Sequence, residues 1–455
     1  MTSSTYTNYR DSEAKWLGNI PEHWSTSPVW GVASCNDEVL AEATPDDAEI
    51  TYVEISGVTA GVGITDVSEI NFADAPSRAR RKVENGDILV STVRTYLRAI
   101  APAINPPANL VASTGFAVLR PRKVNSGFLG YAVQAEFFIF QVIARSVGVS
   151  YPAINASDLV RIALPIPPHS EQTAIATFLD RETGKIDGLV EEQKRLIELL
   201  KEKRQAIISH AVIKGLNPDA PMKDTGIEWL GEVPEHWEVK RIKHVKAPIA
   251  NSFVDGPFGS NLKSEHFIDD GEVYVIESSF ATQGRLNPDD LKSISMDHFQ
   301  TIKRSEAIEG DIIIAKIGAQ FGKSSILPRL DKPCVVSGNS LKLTIDNSKI
   351  STQLVHWQLI NLKNCGAVDV GVNGSAQPAL SLGDMNNLPI LVPPALEQEE
   401  IASFLAEGIG RIRALSEEAQ RTIDLLQERR AALISAAVTG KIDVRGLAEA
   451  QEAAE

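Results

Sequence analysis

The sequence predicts a mixed α+β protein in which two globular domains are joined by two long antiparallel coiled-coil helices, as a pseudo-two-fold internal duplication. Three observations carry that expectation. WLGNIPEHW at residues 16–24 returns as WLGEVPEHW at residues 229–237, with seven of nine residues identical. IPPHSEQTAIATFL, which contains Glu171, returns as VPPALEQEEIASFL, which contains Glu397. ENGDILV around Gly86 returns as IEGDIII around Gly310. Repeats on this scale decide the fold before any local pattern does, and here the offset drifts only from 213 to 226 residues.

In chain order, residues 1–165 form the first domain and 166–215 the first spacer helix. A linker at 216–228 leads to the second domain at 229–391, the second spacer helix at 392–442 and a mobile or frayed tail at 443–455. A chain of 455 residues is too long for one compact core. Within the domains, short β-rich runs (GDILVST, GFAVLRP, GDIIIAK, SLKLTI) are cut by Gly, Pro and Asn turn signals. Few helical patterns interrupt them; FLGYAVQAEFFIFQVIARS and the segment around LVHWQLINLKN are the long ones.

The spacer segments read differently. A 4-3 spacing from Ile175 places Leu179, Ile186, Leu189, Leu196, Leu200 and Ile207 on one seam, the row being completed by Glu182, Gln193 and Lys203. The same spacing 226 residues later takes Ile401, Leu405, Ile412, Leu415, Leu426 and Leu433. Apolar residues at that period mark a coiled-coil seam rather than a globular helix face. Each helix opens after a Pro-Pro pair, with Glu171 or Glu397 in a first turn whose dipole favours a carboxylate. Forty residues at 1.5 Å each make a rod of roughly 60 Å, and its nearest partner is its own twin.

Net charge is −14, with 43% hydrophobic and 23% charged residues. The charges are segregated. Residues 36–74 hold ten Asp or Glu and no Lys or Arg, whereas residues 78–122 carry eight cations against Glu84 and Asp87. A second basic cluster, VKRIKHVK, follows the second tryptophan motif. Local basic patches on an acidic protein can hold a phosphate backbone. The three cysteines, Cys35, Cys334 and Cys365, lack metal-type spacing and read as buried thiols in a reducing compartment. No charged-then-apolar leader opens the chain and no apolar run is long enough to span a bilayer, so a cytoplasmic location is expected.

Several strings imitate catalytic motifs. GAQFGKSS around Lys323 places three residues between Gly318 and Gly322, where a phosphate-wrapping loop needs four. NPPA at residues 105–108 has Ala108 where a base-flipping methyltransferase needs an aromatic ring, and GVTAGVG near Gly61 reads as a turn. PDDLK at residues 288–292 overlaps the two parts that metal nucleases place on separate strands. His23 and His236 read as packed or capping residues, and the repeated tryptophans as anchors of each domain's first segment. No metal site and no catalytic residue is expected.

Where the halves differ, they differ in polar loops. After the shared GDI strand the first half has STVRTYLR, with Arg94, Tyr96 and Arg98; the second has KIGAQFGKSS, with Lys316, Gln320 and Lys323. Further on, GVSYPAI (Ser150, Tyr151) corresponds to GVNGSAQPAL (Asn373, Ser375, Gln377). With Arg78, Arg80, Arg81 and Asn339 these are the candidate DNA contacts, since such side chains pair with base edges and phosphates.

The doubled WLG-x-[IV]-P-E-H-W, the GDI strands, the G-V…P-A turns and PP-x-x-EQ-x-x-I ahead of each long helix resemble the specificity subunit of type I restriction-modification systems, from Trp16 to about Ile442. The resemblance implies that each globular half is a target recognition domain reading one half of a split, asymmetric double-stranded DNA sequence. It implies that the helices set the spacing and bind two modification subunits, which carry S-adenosylmethionine and methylate adenine N6. Restriction subunits with ATP, Mg and nuclease activity would join them in phage defence. This chain would then be non-catalytic and hold no cofactor. The alternatives are a tandem coiled-coil scaffold without DNA contact and a self-contained adenine methyltransferase.

Overall fold

The computed structural model describes residues 5–369 and 379–446. Asn373, Ser375 and Gln377 therefore lie outside the described residues. The chain divides into two compact units: Met1–Lys194 with Gln420–Glu455, and Arg195–Ala419. Each unit thus takes a globular part and one segment of each long helix.

The first unit contains two four-stranded sheets. One runs Ile100–Pro102, Ile88–Ser91, Phe116–Pro121, Ala33–Cys35, with antiparallel neighbours throughout. The other runs Ser68–Asn71, Glu49–Val53, Leu110–Ser113, Ala79–Lys82, and its central pair is parallel. The second unit repeats both orders: Ser324–Ile326, Ile312–Ala315, Ser340–Leu343, Phe253–Asp255, and Ser293–Ile294, Val273–Ile276, Cys334–Val336, Glu306–Ala307. Its parallel pair is again the central one, with Tyr274 opposite Cys334. The duplication is one of topology as well as of short motifs.

The GDI strands show why the pattern folds this way. Strand side chains alternate between faces. Ile88 and Val90 enter the core that includes the helices, while Leu89 enters the core between the sheets. Ile312 and Ile314 repeat this against Ile313. Both faces are covered, so the run is apolar without alternation. The aspartate of each motif is buried. Asp87 accepts from the Glu84 amide at 2.8 Å and binds Arg120 through two bonds of 2.9 Å. Asp311 accepts from the Ile308 amide at 2.9 Å and pairs with Lys342 at 3.3 Å. A buried carboxylate needs such partners, and losing one strands the other.

The repeated PEHW and EQ motifs meet each other. Glu171, in the first turn of the helix His169–Lys214, accepts from Trp24 Nε1 at 3.0 Å and lies 2.7 Å from His23 Nε2. Glu397, in the first turn of Ala395–Val438, takes Trp237 Nε1 at 2.8 Å and His236 Nε2 at 2.6 Å. The adjacent glutamines do parallel work. Gln172 accepts from the Asn125 amide at 2.8 Å and Gln398 from the Ser351 amide at 2.9 Å. Asn125 and Ser351 are in turn the N-caps of the helices Ser126–Gln134 and Thr352–Asn364. Trp24 and Trp237 are fully buried as anchors, while Trp16 is half exposed.

Each tryptophan also receives the end of the other long helix within its unit. Gly440 (φ 71°) lies against Trp24 and Gly215 (φ 74°) against Trp237. A Cβ on Gly440 would stand 2.4 Å from Pro21 Cδ. A left-handed helix terminus with no room for a side chain requires glycine. In the first unit Ile175 and Leu179 share a core with Ile434, Ala437 and Val438; in the second, Ile208 and Val212 share one with Ile401 and Leu405. The start of one helix therefore packs beside the end of the other in each unit, antiparallel as expected.

Four expectations need correction. Leu189, Leu196 and Leu415 are about half exposed, and the residues one step on, Val190, Ile197 and Ser416, are more buried instead. Leu179, Ile186, Leu200, Leu405 and Ile412 are buried as predicted, and Ile207, Leu426 and Leu433 are half-buried. The second contact of each heptad thus falls four residues after the first rather than three, a choice both rows of the sequence permit. The segment 128–146 is two helices, Ser126–Gln134 and Glu136–Arg145, broken at an extended Ala135. The restart is held by the Glu136 amide donating to Ser435 Oγ at 3.2 Å. At the C-terminus Val444 is buried and Arg445 reaches Asp443 at 2.6 Å, so residues 443–446 belong to the packed first unit. Of the thiols, Cys334 is buried and pushed up to about 12 by that burial, Cys35 is half-buried and Cys365 is exposed. No single described helix is long and apolar enough to cross a membrane.

Candidate nucleic-acid interface

In the first unit the strand Ile88–Ser91 leads into one 3-10 turn, Thr95–Leu97, flanked by Arg94 (φ 53°) and Arg98 (φ 52°). Left-handed backbone at a non-glycine costs about 1–3 kcal/mol and persists only where the surroundings enforce it. Here they do. The Arg94 amide donates to Pro152 O and the Ile154 amide to Thr92 O, both at 2.8 Å, and Val93 bridges to Ala153. Two loops more than fifty residues apart in sequence are thereby joined. The Arg94 guanidinium lies 4.8 Å from the Tyr151 ring centre, a cation–π contact of about 0.5–1 kcal/mol at an exposed site. Tyr96 and Tyr151 are each more than half exposed, and Ser150 is exposed beside them. The arrangement offers a cation and two rings to solvent, which suits phosphates and base faces.

The second unit repeats the bridge and one of these backbone bonds. Ile317 bridges to Ala379 and the Leu380 amide donates to Lys316 O at 2.9 Å. The content differs. Lys316 donates to Asn339 O through its amide and to Asp255 through its Nζ at 3.2 Å. Arg304, a residue with no distinguishing sequence signal, occupies the other Asp255 oxygen at 2.9 Å. Gln320 and Lys323 are exposed on the hairpin between Ile312–Ala315 and Ser324–Ile326.

The basic stretch of the first half is not one open patch. Arg78 pairs with Glu54, and Arg98 with Glu136 at 2.6 Å. Arg120 binds Asp87, Glu38 and Glu84, and Arg122 binds Asp37 at 2.5 Å. The Ser34 hydroxyl and Arg122 hold the Asp37 carboxyl below its ordinary range, and Arg120 does the same for Glu38. Arg80 lies half-buried across the Phe72 ring, and Arg81 is half-buried with its Nε unpartnered. The acidic run at 36–74 folds onto the cations that follow it. Arg94 remains exposed, with Tyr151 beneath it.

The catalytic look-alikes resolve into ordinary structure. GAQFGKSS connects two antiparallel strands, with no helix to receive a phosphate. GVTAGVG is a β-hairpin that, with Asn105 and Pro106, borders a cleft of about 660 Å³ in the first unit. Asp289 and Asp290 sit on an exposed 3-10 turn, while Lys292 pairs with Glu277. Among the described residues no group of three or more His, Cys, Asp or Glu could hold a metal ion.

Comparison with known proteins agrees with this geometry. The family described as type I restriction modification DNA specificity domain matches residues 39–199 and again 234–421. The MjaIX type I restriction enzyme specificity subunit of Methanocaldococcus jannaschii is 24% identical, over 95% of this chain and 96% of its own length. The EcoKI specificity subunit of Escherichia coli is 19% identical over 95% and 92%. A chain from a structure concerned with complex assembly and conformational transition of the type I R-M system superposes with a TM-score of 0.72. It has 21% identity and covers 93% of this chain and 99% of that one. The chain belongs to the type I restriction-modification DNA specificity family, and it is a specificity subunit with one such domain in each half.

Proposed function

We propose that residues 1–165 and 229–391 are target recognition domains, each reading one half of a bipartite, asymmetric DNA sequence. In this reading Arg94, Tyr96, Ser150 and Tyr151 serve the first half-site, while Lys316, Gln320, Lys323 and Asn339 serve the second. The observation that carries it is the pair of loops docked by identical bridges, Val93 to Ala153 and Ile317 to Ala379, with different polar side chains on each. A scaffold that is conserved in backbone and divergent in base-pairing groups is what a two-site reader needs.

The long helices set the separation of the half-sites and bind two modification subunits; those subunits carry S-adenosylmethionine and methylate adenine. Restriction subunits with ATP and Mg complete the assembly, in the cytoplasm. The reader holds the duplex while the methylating partner extrudes its base. Co-expression with a neighbouring methyltransferase chain, followed by mapping of methylated adenines, tests the assignment. One bipartite motif is expected. Exchanging residues 16–165 for those of a relative is expected to change one half of it; a change in both halves, or in neither, defeats the reading.

A further inference from the structure

We infer that residues 257–263 form an additional DNA-reading segment of the second half, with Phe258 as its apolar contact to the bases. The inference rests on the DNA-reading role proposed above.

The segment leaves the strand Phe253–Asp255 and is pinned at both ends. A Cβ on Gly256 would stand 1.9 Å from Ser337 O, and one on Gly338 would stand 2.6 Å from Pro257 O. Two backbones touch there, and glycine alone permits it. At the far end His298 Nε2 lies 2.9 Å from Asn261 O, and the Lys263 amide donates to His266 Nδ1 at 3.0 Å. The two histidine rings stack at 3.9 Å, and Leu262 packs against the core of Val273, Val275 and Phe299. Between these ties Phe258, Gly259, Ser260 and Asn261 are exposed, with Phe258 at 67%.

A ring held outward on a pinned loop gains nothing within its own unit. Its neighbours are the candidate readers: Asp255, one residue before the glycine, holds Lys316 and Arg304, and Asn339 follows Gly338. The corresponding corner of the first unit, after Ala33–Cys35, is Asn36, Asp37 and Glu38, whose carboxylates bind Arg122 and Arg120. The two halves thus diverge at this corner as they do in the other loops. In the first corner the loop itself carries the ion-paired carboxylates, and in the second the loop presents an exposed aromatic ring and an amide. Apolar side chains read the thymine methyl or part a base step, and asparagine pairs with adenine.

The test uses the complex of this chain with its co-expressed methyltransferase and a duplex carrying the mapped target. Phe258→Ala is expected to weaken binding about tenfold, within the range for losing an aromatic base contact. The slope of affinity against salt should not change, because no phosphate contact is lost. Phe258→Trp should restore affinity, and methylation maps should relax in the second half-site alone. Wild-type binding by Phe258→Ala, beside a weakened Lys323→Ala, overturns the inference and leaves DNA reading intact. Wild-type binding by Phe258→Ala, Lys323→Ala and Arg94→Ala together overturns both.

Discussion

The two halves hold the same carboxylate in the same place under unequal cover. Glu171 is enclosed by His23, Trp24 and Tyr6, with Arg445 at 3.8 Å, whereas Glu397 meets His236 and Trp237 and keeps 36% of its side chain exposed. The added partners, Tyr6 and Arg445, come from before the first tryptophan motif and from after the second long helix. A second pair of equivalents is unchanged in role: Arg10 donates to Trp24 O and Lys223 to Trp237 O. In the loops the opposite holds, with the same docking bridge and unlike side chains. The comparison teaches where a duplicated scaffold can drift. It drifts where side chains face water, and it stays fixed where a carboxylate takes the His-Trp pair or a glycine ends a long helix.

The largest effect is expected at the helix ends. Gly440→Val forces a branched side chain against Pro21 at positive φ and should cost the first unit about 3 kcal/mol or more. Gly215→Val meets the Trp237 ring at 3.1 Å and should cost the second unit less. Hydrogen-exchange protection read separately over each unit decides, and equal losses would remove the asymmetry. Next, Glu171→Ala leaves Trp24 and Tyr6 without their acceptor and should cost about 2–4 kcal/mol, against about 1 kcal/mol for Glu397→Ala, where the carboxylate is only half-buried. Thermal unfolding of the two variants compares them directly.

For the loops, Arg94→Ala and Lys323→Ala should each lose about 1–3 kcal/mol of DNA binding at a single position if the contact is to a base. Each loss should fall in a different half-site, as read from methylation maps. A smaller, pH-dependent difference is expected at His356. Burial holds its pKa below the ordinary histidine value, against the opposing hydrogen bond to Ser324 O. The unfolded chain therefore binds the proton more readily, so stability is present above about pH 6.5 and falls as the solution is acidified. Denaturation midpoints of the second unit should drop between pH 7.5 and 5, and His356→Gln should lessen that drop. The smallest effect separates the helix phases: Leu189→Ala should stay within about 0.5 kcal/mol, while Val190→Ala should cost about 1 kcal/mol.

The repeated strings marked the right residues for reasons that differ from their sequence reading. Each of Glu171 and Glu397 complements a helix dipole, as its first-turn position predicts, and also binds the His-Trp pair of a motif 147 or 160 residues upstream of it. Sequence spacing does not report that meeting, because it depends on a chain reversal through two sheets. The basic stretch at 78–122 was misleading for a related reason. Its cations are adjacent in sequence to acids that fold over them, so Arg120 and Arg122 are ion-paired and Arg94 stands out. Phe258 carried no periodic signal, since an exposed ring and a core ring look alike in a string of letters.

By itself the sequence determined the duplication, the α+β character, both long helices and the two polar loops of each half. Those are properties of period and composition, and neighbouring residues encode them. Only the tertiary structure decided which heptad row is buried, which arginines are neutralised, and that distant loops share one docked surface. Each of these depends on what lies across a gap in space, and partners across such a gap are chosen by packing and charge pairing between segments far apart in the chain.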